Sequence, residues 1–211
     1  MSWITHGYMW EWTPLGPPPS KRFPNHRSCD EHADFVDRAV GKLVASGAAY
    51  GVAQQPWLVS PLGVALKKGA DGFRLILDLR YLNLHVDSPK FRYETLSGLP
   101  EVLRPGDWMF TWDLSAGYHH MECAPEAHQY LGFEWRGRRY VFRCLPFGLT
   151  SACRAFTKLM RPLFARWRAM GYRCTGMIDD ALFGDADPAA TVAMERQVLS
   201  DLADAGMVVN H

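Results

Sequence analysis

Two adjacent aspartates interrupt an apolar stretch near the end of this 211-residue chain, and they constrain the fold more than any other feature. Asp179 and Asp180 lie within residues 174–183, where two apolar runs predict strands joined by a tight turn. A third aspartate, Asp113, ends the short strand-like run 108–113. Because carboxylates beside buried strands are costly without a compensating charge, we expect these side chains to share bound cations.

The run that ends at Asp113 alternates in a way typical of a strand. Trp108, Phe110 and Trp112 fall on one face, and Asp113 points to the other. If the hairpin that carries the two later aspartates pairs with this strand, the carboxylates could bridge a pair of magnesium ions. Taken alone, however, an Asp-Asp pair is also typical of an exposed turn.

The composition limits the class of protein. Apolar residues make up 48% of the chain, which is enough to fill a core. No apolar run reaches the ~18 residues of a membrane-spanning helix, and the N-terminus lacks the pattern of a signal peptide. We therefore expect an intracellular protein, cytoplasmic or nuclear, that is neither secreted nor bound to a membrane.

Charge is distributed unevenly, although the net charge is only +1. Residues 136–173 contain ten Arg or Lys and no acid, whereas residues 179–204 contain seven acids and one Arg. A basic surface beside an acidic metal site is typical of proteins that act on a phosphate polymer.

Helical and strand patterns are mixed along the chain, without an internal repeat. Residues 1–27 are rich in Trp, Pro and Gly and predict an extended arm that docks on a surface. Ser28 followed by Glu31 is typical of a capping box, and a helical pattern then continues to Gly47. The remaining predicted elements are a hairpin within 57–80 with its loop at 67–72, a hairpin within 130–144 with its loop at 136–139, a helix over 152–167 and a helix over 188–205 that Gly206 closes.

Four segments resemble motifs of reverse transcriptases, in the same order along the chain. Residues 73–83 resemble the finger-strand motif, 113–120 the first catalytic motif, and 145–152 the template-side motif. Met177-Ile-Asp-Asp180 falls where the family carries its Tyr-x-Asp-Asp signature, and Met replaces the aromatic residue. The N-terminal part extends the similarity, which is greatest to retrotransposon enzymes of the gypsy or DIRS type.

This resemblance implies an α+β fold, the fingers and palm of a right-hand polymerase, with an antiparallel palm sheet packed on helices. The chain stops before a lysine expected shortly after Asn210, so we expect a truncated palm and no thumb. The implied segments are an extended Pro-rich arm at 1–27, fingers at 28–88, palm at 89–120, fingers again at 121–152 and palm again at 153–211.

The resemblance also implies a function, RNA-directed DNA polymerase activity. Such an enzyme transfers deoxynucleotides to a primer 3′-hydroxyl with two Mg²⁺ ions, for which Mn²⁺ can substitute. The implied catalytic residues are Asp113, Asp179 and Asp180, and the metal-binding set adds Leu114. The implied partners are an RNA or DNA template with its primer, deoxynucleoside triphosphates, and further domains of a polyprotein such as a thumb, ribonuclease H, integrase or recombinase.

Five further residues match positions that contact the incoming nucleotide in the family. Lys67 and Arg74 match the cations that clamp the triphosphate, although a solvated hairpin tip would carry the same charges. Tyr118 matches the aromatic residue that excludes a 2′-hydroxyl, and would otherwise be read as a core residue. Phe147 and Gly148 match the segment near the templating base, which could also be a plain strand-to-helix turn.

Two other functions stay open at this point. The chain could be a catalytically silent remnant whose basic 136–173 region grips nucleic-acid phosphates. It could also be the palm of an RNA-dependent RNA polymerase, although Tyr118 argues against that, because such an enzyme must admit the 2′-hydroxyl. Activity of the isolated chain stays open in each case.

Overall fold

The structure is a computed structural model, and it describes residues 3–67, 72–92, 94 and 98–210. Within these residues no helix is both long enough and apolar enough to cross a membrane. The helices are α1 (Trp3–His6), α2 (Arg27–Glu31), α3 (Ala33–Ala45), α4 (Arg80–Asn83), α5 (Leu99–Val102), α6 (Pro125–His128), α7 (Ala152–Ala169) and α8 (Pro188–Asp204). The strands are β1 (Lys21–Arg22), β2 (Ala49–Val52), β3 (Leu58–Val59), β4 (Leu62–Leu66), β5 (Phe73–Leu77), β6 (Trp108–Asp113), β7 (Gly132–Trp135), β8 (Arg138–Phe142), β9 (Arg173–Met177) and β10 (Asp180–Asp185).

The chain divides into two compact units, each built from two separate segments. The first unit consists of Met1–Pro89 and Met121–Ala152, and the second of Lys90–His120 and Cys153–His211. Both units mix helices and strands, so the α+β class predicted from the sequence is confirmed. The boundaries predicted for fingers and palm stay a prediction.

The first unit contains a five-stranded sheet, in the order β1-β3-β7-β8-β2, and the separate hairpin β4-β5. Strands β7 and β8 are joined by Arg136 and Gly137 alone, both with positive φ (48° and 72°), so this loop is shorter than predicted. Two residues with positive φ form the tight turn that matches the twist of a hairpin. Of the loop predicted at 67–72, residues 68–71 lie outside the described residues.

The N-terminal arm docks within the first unit, as its aromatic content predicts. Tyr8 and Trp10 are buried. The Tyr8 N–H donates to Glu122 O at 2.8 Å, and the Trp57 indole N–H donates to Pro18 O at 2.7 Å. Buried aromatic area and paired main-chain groups both hold the arm in place.

The capping box predicted at Ser28 is wrong. Ser28 lies inside α2, and its Oγ accepts from the Val64 N–H at 3.0 Å on the neighbouring strand β4. Glu31 instead forms an ion pair with Arg27 one helical turn earlier. The Ser28 hydroxyl is thus used by a main-chain donor of β4 and does not cap its own helix.

The second unit contains one antiparallel sheet, in the order β6-β10-β9. Two residues of the predicted aromatic face of β6, Phe110 and Trp112, pack on the neighbouring strand and on helix α7, whereas the third, Trp108, is 59% exposed. Phe110 stacks on Phe183 with 4.8 Å between ring centroids, and Trp112 meets Trp167 of α7 edge-on at 6.3 Å. Trp167 is 0% exposed, so the core of this unit lies between the sheet and α7.

Candidate active site

The three aspartates singled out in the sequence converge at one end of the sheet of the second unit. Asp113 is the last residue of β6, Asp180 is the first residue of β10, and the two face each other across the antiparallel ladder. Asp179 precedes β10 in the connecting turn. One carboxylate oxygen from each residue lies within 4.8 Å of the others. The spatial convergence expected from the sequence is therefore present, whereas the role of each residue stays a prediction.

A two-residue turn presents Asp179, and a main-chain hydrogen bond from the strand β6 side of the cluster fixes it. Because Met177 pairs with Asp180, the turn consists of Ile178 and Asp179 alone. Ile178 has φ +64°, which is rare for a β-branched residue and marks local strain. The Asp179 carbonyl accepts from Leu114 N–H at 2.9 Å.

Gly117 leaves the space that the Asp179 side chain occupies. A Cβ atom at Gly117 would lie 2.8 Å from the Cβ of Asp179, closer than real Cβ contacts. The glycine of the motif 113–120 is therefore explained by a contact with the later motif, not by its own backbone, since its φ is not positive.

The electrostatics of this cluster oppose full ionisation. Burial raises the pKa of Asp179, and the charge of Asp113 raises it further. Burial also raises the pKa of Asp180, together with a hydrogen bond shared with Asp113 and the charges of both neighbours. Carboxylates that repel one another in this way are stabilised by a hard divalent cation, which takes oxygen ligands. The donor set thus fits a cation such as Mg²⁺ or Mn²⁺.

These shifts predict how the stability of the metal-free protein changes with pH. A carboxyl whose pKa is raised in the folded state destabilises that state when it ionises. The free energy of unfolding therefore falls as the pH rises above the ordinary pKa of 3.8. In EDTA, the free energy of unfolding of Asp180→Asn minus that of the wild type should therefore increase as pH rises through the acid range. Denaturant unfolding at a series of pH values measures it. A difference that does not change with pH would contradict the repulsion.

One residue near the aspartates was missed as a functional candidate. The Asn210 side-chain amide donates to Asp113 Oδ2, and its main-chain N–H donates to Asp113 O at 2.8 Å. Both residues line a cavity of about 550 Å³ that also reaches Asp180. The sequence signal was present in part, because Gly206 predicts a helix end and a reversal of the chain just before Asn210.

Leu114 and Tyr118 also belong to the second unit. The Leu114 side chain is buried and has no oxygen atom, so Leu114 could ligate a cation only through its main-chain carbonyl. Tyr118 is 7% exposed, its hydroxyl lies 2.8 Å from Cys153 Sγ, and its ring meets Phe156 edge-on. The metal-binding role of Leu114 and the sugar-excluding role of Tyr118 stay predictions.

Lys67 and Arg74 lie in the first unit, on the β4-β5 hairpin. Arg74 pairs with Ala65 across the ladder, and Lys67 follows the last residue of β4. Both side chains are exposed, and neither forms an ion pair with any residue in the described part of the chain. The triphosphate-binding role that the resemblance implies for both residues stays a prediction.

Phe147 and Gly148 lie on a loop of the first unit that Asn83 fastens. The Asn83 amide donates to Gly148 O at 2.8 Å, and its oxygen accepts from Thr150 N–H at 2.9 Å. Phe147 is 50% exposed, and Gly148 has φ +96°, a conformation that favours glycine. The loop is thus fixed while it presents an aromatic ring to solvent.

The basic region 136–173 is less available than its composition indicates. Among the residues that the structure describes, at least five of its ten cations form ion pairs with acidic residues of the same unit. The pairs are Arg136 with Asp37, Arg139 with Glu134, Arg166 with Asp201, Arg168 with Glu94, and Arg173 with Asp107. These contacts reduce the positive charge that the region can offer to a phosphate backbone.

Curated proteins similar to this chain are Pol polyproteins. The Pol polyprotein of the Drosophila melanogaster transposon gypsy is 28% identical over 183 residues, covering 84% of this chain and 17% of the relative. The Pro-Pol polyprotein of simian foamy virus type 1 is 22% identical over 196 residues, covering 93% and 16%. The chain thus spans less than a fifth of the length of these curated relatives.

Solved structures show the same fold. The native prototype foamy virus protease-reverse transcriptase matches with a TM-score of 0.75 at 22% identity, over 97% of this chain and 27% of that one. A foamy viral protease-reverse transcriptase in complex with double-stranded DNA matches with 0.77 at 20% identity, over 98% and 34%. The fold predicted from the resemblance, an α+β fingers-and-palm arrangement, is confirmed by these likenesses. Because the model of the reverse transcriptase (RNA-dependent DNA polymerase) family matches residues 65–211, which include every aspartate of the cluster, the chain belongs to that family.

Proposed function

We propose that this chain is the fingers-and-palm part of an RNA-directed DNA polymerase from a retrotransposon-type polyprotein. It would transfer deoxynucleotides to a primer 3′-hydroxyl. The observation that supports this function best is the convergence of Asp113, Asp179 and Asp180 at one end of an antiparallel sheet, in a chain of the reverse transcriptase family. In this proposal the first unit provides the fingers and the second unit the palm.

Asp113 and Asp179 would hold the catalytic cations, and Asp180 would support the site. A bound pair of Mg²⁺ ions supplies a lowered pKa for the attacking hydroxyl and charge stabilisation for in-line phosphoryl transfer. The chain itself contributes the fixed position of these ligands. The Asp179 carbonyl is tied to Leu114, and Gly117 leaves room for the Asp179 side chain. Such preorganisation avoids the cost of reorienting the ligands during the reaction.

Nucleotide and template would be bound by residues of the first unit. Lys67 and Arg74 offer exposed cations to the triphosphate. The loop at Phe147 and Gly148 offers an exposed aromatic ring and, at the glycine, a main chain that no side chain covers. Foamy viral relatives have been solved with double-stranded DNA and with an RNA/DNA hybrid. We propose the same class of partner for this chain, together with deoxynucleoside triphosphates and other parts of a longer polyprotein.

Primer extension on an RNA template tests the proposal. With Mg²⁺ or Mn²⁺ present, we expect the protein to add deoxynucleotides to a DNA primer. Salt-sensitive binding of template and primer, without incorporation at any concentration of either cation, would instead identify a silent nucleic-acid-binding remnant. The ion pairs of the basic region argue against that second function, because they reduce the positive charge that could bind nucleic-acid phosphates.

Tyr118→Val is expected to increase the incorporation of ribonucleotides relative to deoxyribonucleotides by roughly tenfold or more. The smaller side chain would leave room for a 2′-hydroxyl at the sugar. The measurement is the ratio of kcat/KM values for the two nucleotides.

Tyr118→Phe is the matched control, because it keeps the ring and loses only the hydroxyl near Cys153. It should preserve the preference for deoxyribonucleotides. If Tyr118→Val leaves the ratio unchanged while lowering thermal stability, Tyr118 is a core residue and not a selectivity residue.

A further inference from the structure

We propose that Asn210 is a positioning residue that fixes the Asp113 carboxylate for cation binding. The inference rests on the proposed function, because it concerns the same cluster of aspartates. Contacts between segments distant in sequence place Asn210 beside Asp113, and they begin at the end of helix α8.

A tight turn at Gly206 ends helix α8. Gly206 has φ +73°, its N–H donates to Ala203 O at 2.9 Å, and the Met207 N–H donates to Leu202 O at 2.9 Å. This pair of bonds is the Schellman motif, in which a glycine in the left-handed region ends a helix and reverses the chain. The turn sends the residues after Gly206 back toward the end of strand β6.

The segment 208–210 then pairs with the chain that follows Asp113. Val209 forms an antiparallel bridge with Leu114. The Ser115 N–H donates to Val208 O at 2.8 Å, and the Asn210 N–H donates to Asp113 O at 2.8 Å. These main-chain bonds set the register, so that the Asn210 side chain lies beside that of Asp113.

A histidine fixes the same segment from another side. His120 Nε2 lies 3.0 Å from the Val208 N–H, and its Nδ1 lies 3.0 Å from Gly117 O. The Val208 N–H donates to Nε2, which leaves Nδ1 as the ring nitrogen that donates to Gly117 O. His120 therefore links the segment to the turn that makes room for Asp179.

The consequence appears at the side chain of Asp113. A carboxylate has a broad rotational preference about its last torsion, so a free Asp113 would sample many orientations. The Asn210 amide donates to Oδ2 and holds the carboxylate plane. An amide makes this bond without a positive charge, whereas a lysine or arginine there would repel divalent cations. Outer-shell donors of this kind typically change metal affinity by about 10- to 100-fold.

Cation titration followed by thermal unfolding tests this inference without using polymerase activity. The wild type should be stabilised by Mn²⁺ and Mg²⁺ in a concentration-dependent manner. Asn210→Leu removes the donor at similar size and should raise the half-saturating Mn²⁺ concentration by about 10- to 100-fold. Asn210→Gln keeps an amide and should fall between the two. Val208→Ala is the matched control, because it changes an exposed side chain of the same segment and keeps the main-chain bonds; its midpoint should equal that of the wild type.

The outcomes separate this inference from the proposed function. If the wild type shows no stabilisation by either cation, the metal site itself is wrong. If the wild type responds and Asn210→Leu has the same midpoint, the function stands and the positioning role is overturned. A loss of stability in EDTA without a change of midpoint would make Asn210 only structural, which also overturns the inference.

Discussion

Asp113→Asn is expected to lower nucleotide incorporation by at least ~10³-fold and to remove the stabilisation of the protein by Mn²⁺. The substitution keeps the size of the side chain and removes its charge, so the cluster loses a ligand. The Asn210 amide can still donate to the remaining carbonyl oxygen, and the antiparallel ladder with β10 is unaffected. The fold should therefore survive while both functions are lost. Primer extension and thermal unfolding with and without Mn²⁺ measure the two effects.

Asp204→Asn is the control for that experiment. Asp204 is an exposed aspartate of helix α8, in the same unit as the cluster, and its loss removes the same charge. It should leave incorporation and the response to Mn²⁺ unchanged. Continued primer extension by Asp113→Asn would show that the aspartates do not have the proposed roles.

Asp201→Ala is expected to destabilise the second unit by about 1–3 kcal/mol. Asp201 is 9% exposed and accepts hydrogen bonds from the Trp167 indole N–H at 2.8 Å, Arg166 Nε at 3.1 Å and Gln197 Nε2 at 2.9 Å. Alanine leaves the fully buried Trp167 N–H without an acceptor among these groups, and an unsatisfied buried donor carries most of its desolvation cost. The tryptophan lies at the centre of the core under the sheet, so the loss affects the whole unit.

The pKa of Asp201 indicates the same interactions. Burial tends to raise this pKa, but the hydrogen bonds from Trp167, Arg166 and Gln197 outweigh it and lower the pKa below its ordinary value. The ionised Asp201 therefore stabilises the fold at pH values above its ordinary pKa of 3.8. This contribution is lost as the pH falls toward the lower pKa of the folded state. Asp179 and Asp180 change in the opposite direction, because their pKa values are raised.

Denaturant unfolding at neutral pH measures the effect of Asp201→Ala. Asp201→Asn keeps one acceptor oxygen and should lose less stability, and Asp204→Asn should stay within about 0.5 kcal/mol of the wild type. If Asp201→Ala unfolds at the same denaturant concentration as Asp204→Asn, then these hydrogen bonds do not stabilise the unit.

Local patterns predicted most of the elements but misplaced some of their ends. Alternation along β6 correctly separated Phe110 and Trp112, which pack in the core, from Asp113, because side chains on a strand alternate regardless of their neighbours. It did not predict that Trp108, at the start of the strand, is exposed. Ser28 misled because its hydroxyl has a tertiary partner, Val64, that no local rule includes. The same limit applies to the basic region, since the acids that neutralise Arg166 and Arg168 lie 35 and 74 residues away along the chain.

The sequence alone determined local features: a tight turn at Asp179, a helix end at Gly206 and an aspartate at the end of β6. It also determined the order of motifs that identifies the family. Tertiary structure alone decided which of these meet. The register of β6 with β10 places Asp113 opposite Asp180, and the reversal at Gly206 brings Asn210 to Asp113 across 97 positions of the chain. The physical reason is that turn and strand preferences act over a few neighbouring residues, whereas ladder register and side-chain pairing arise only when distant segments pack together.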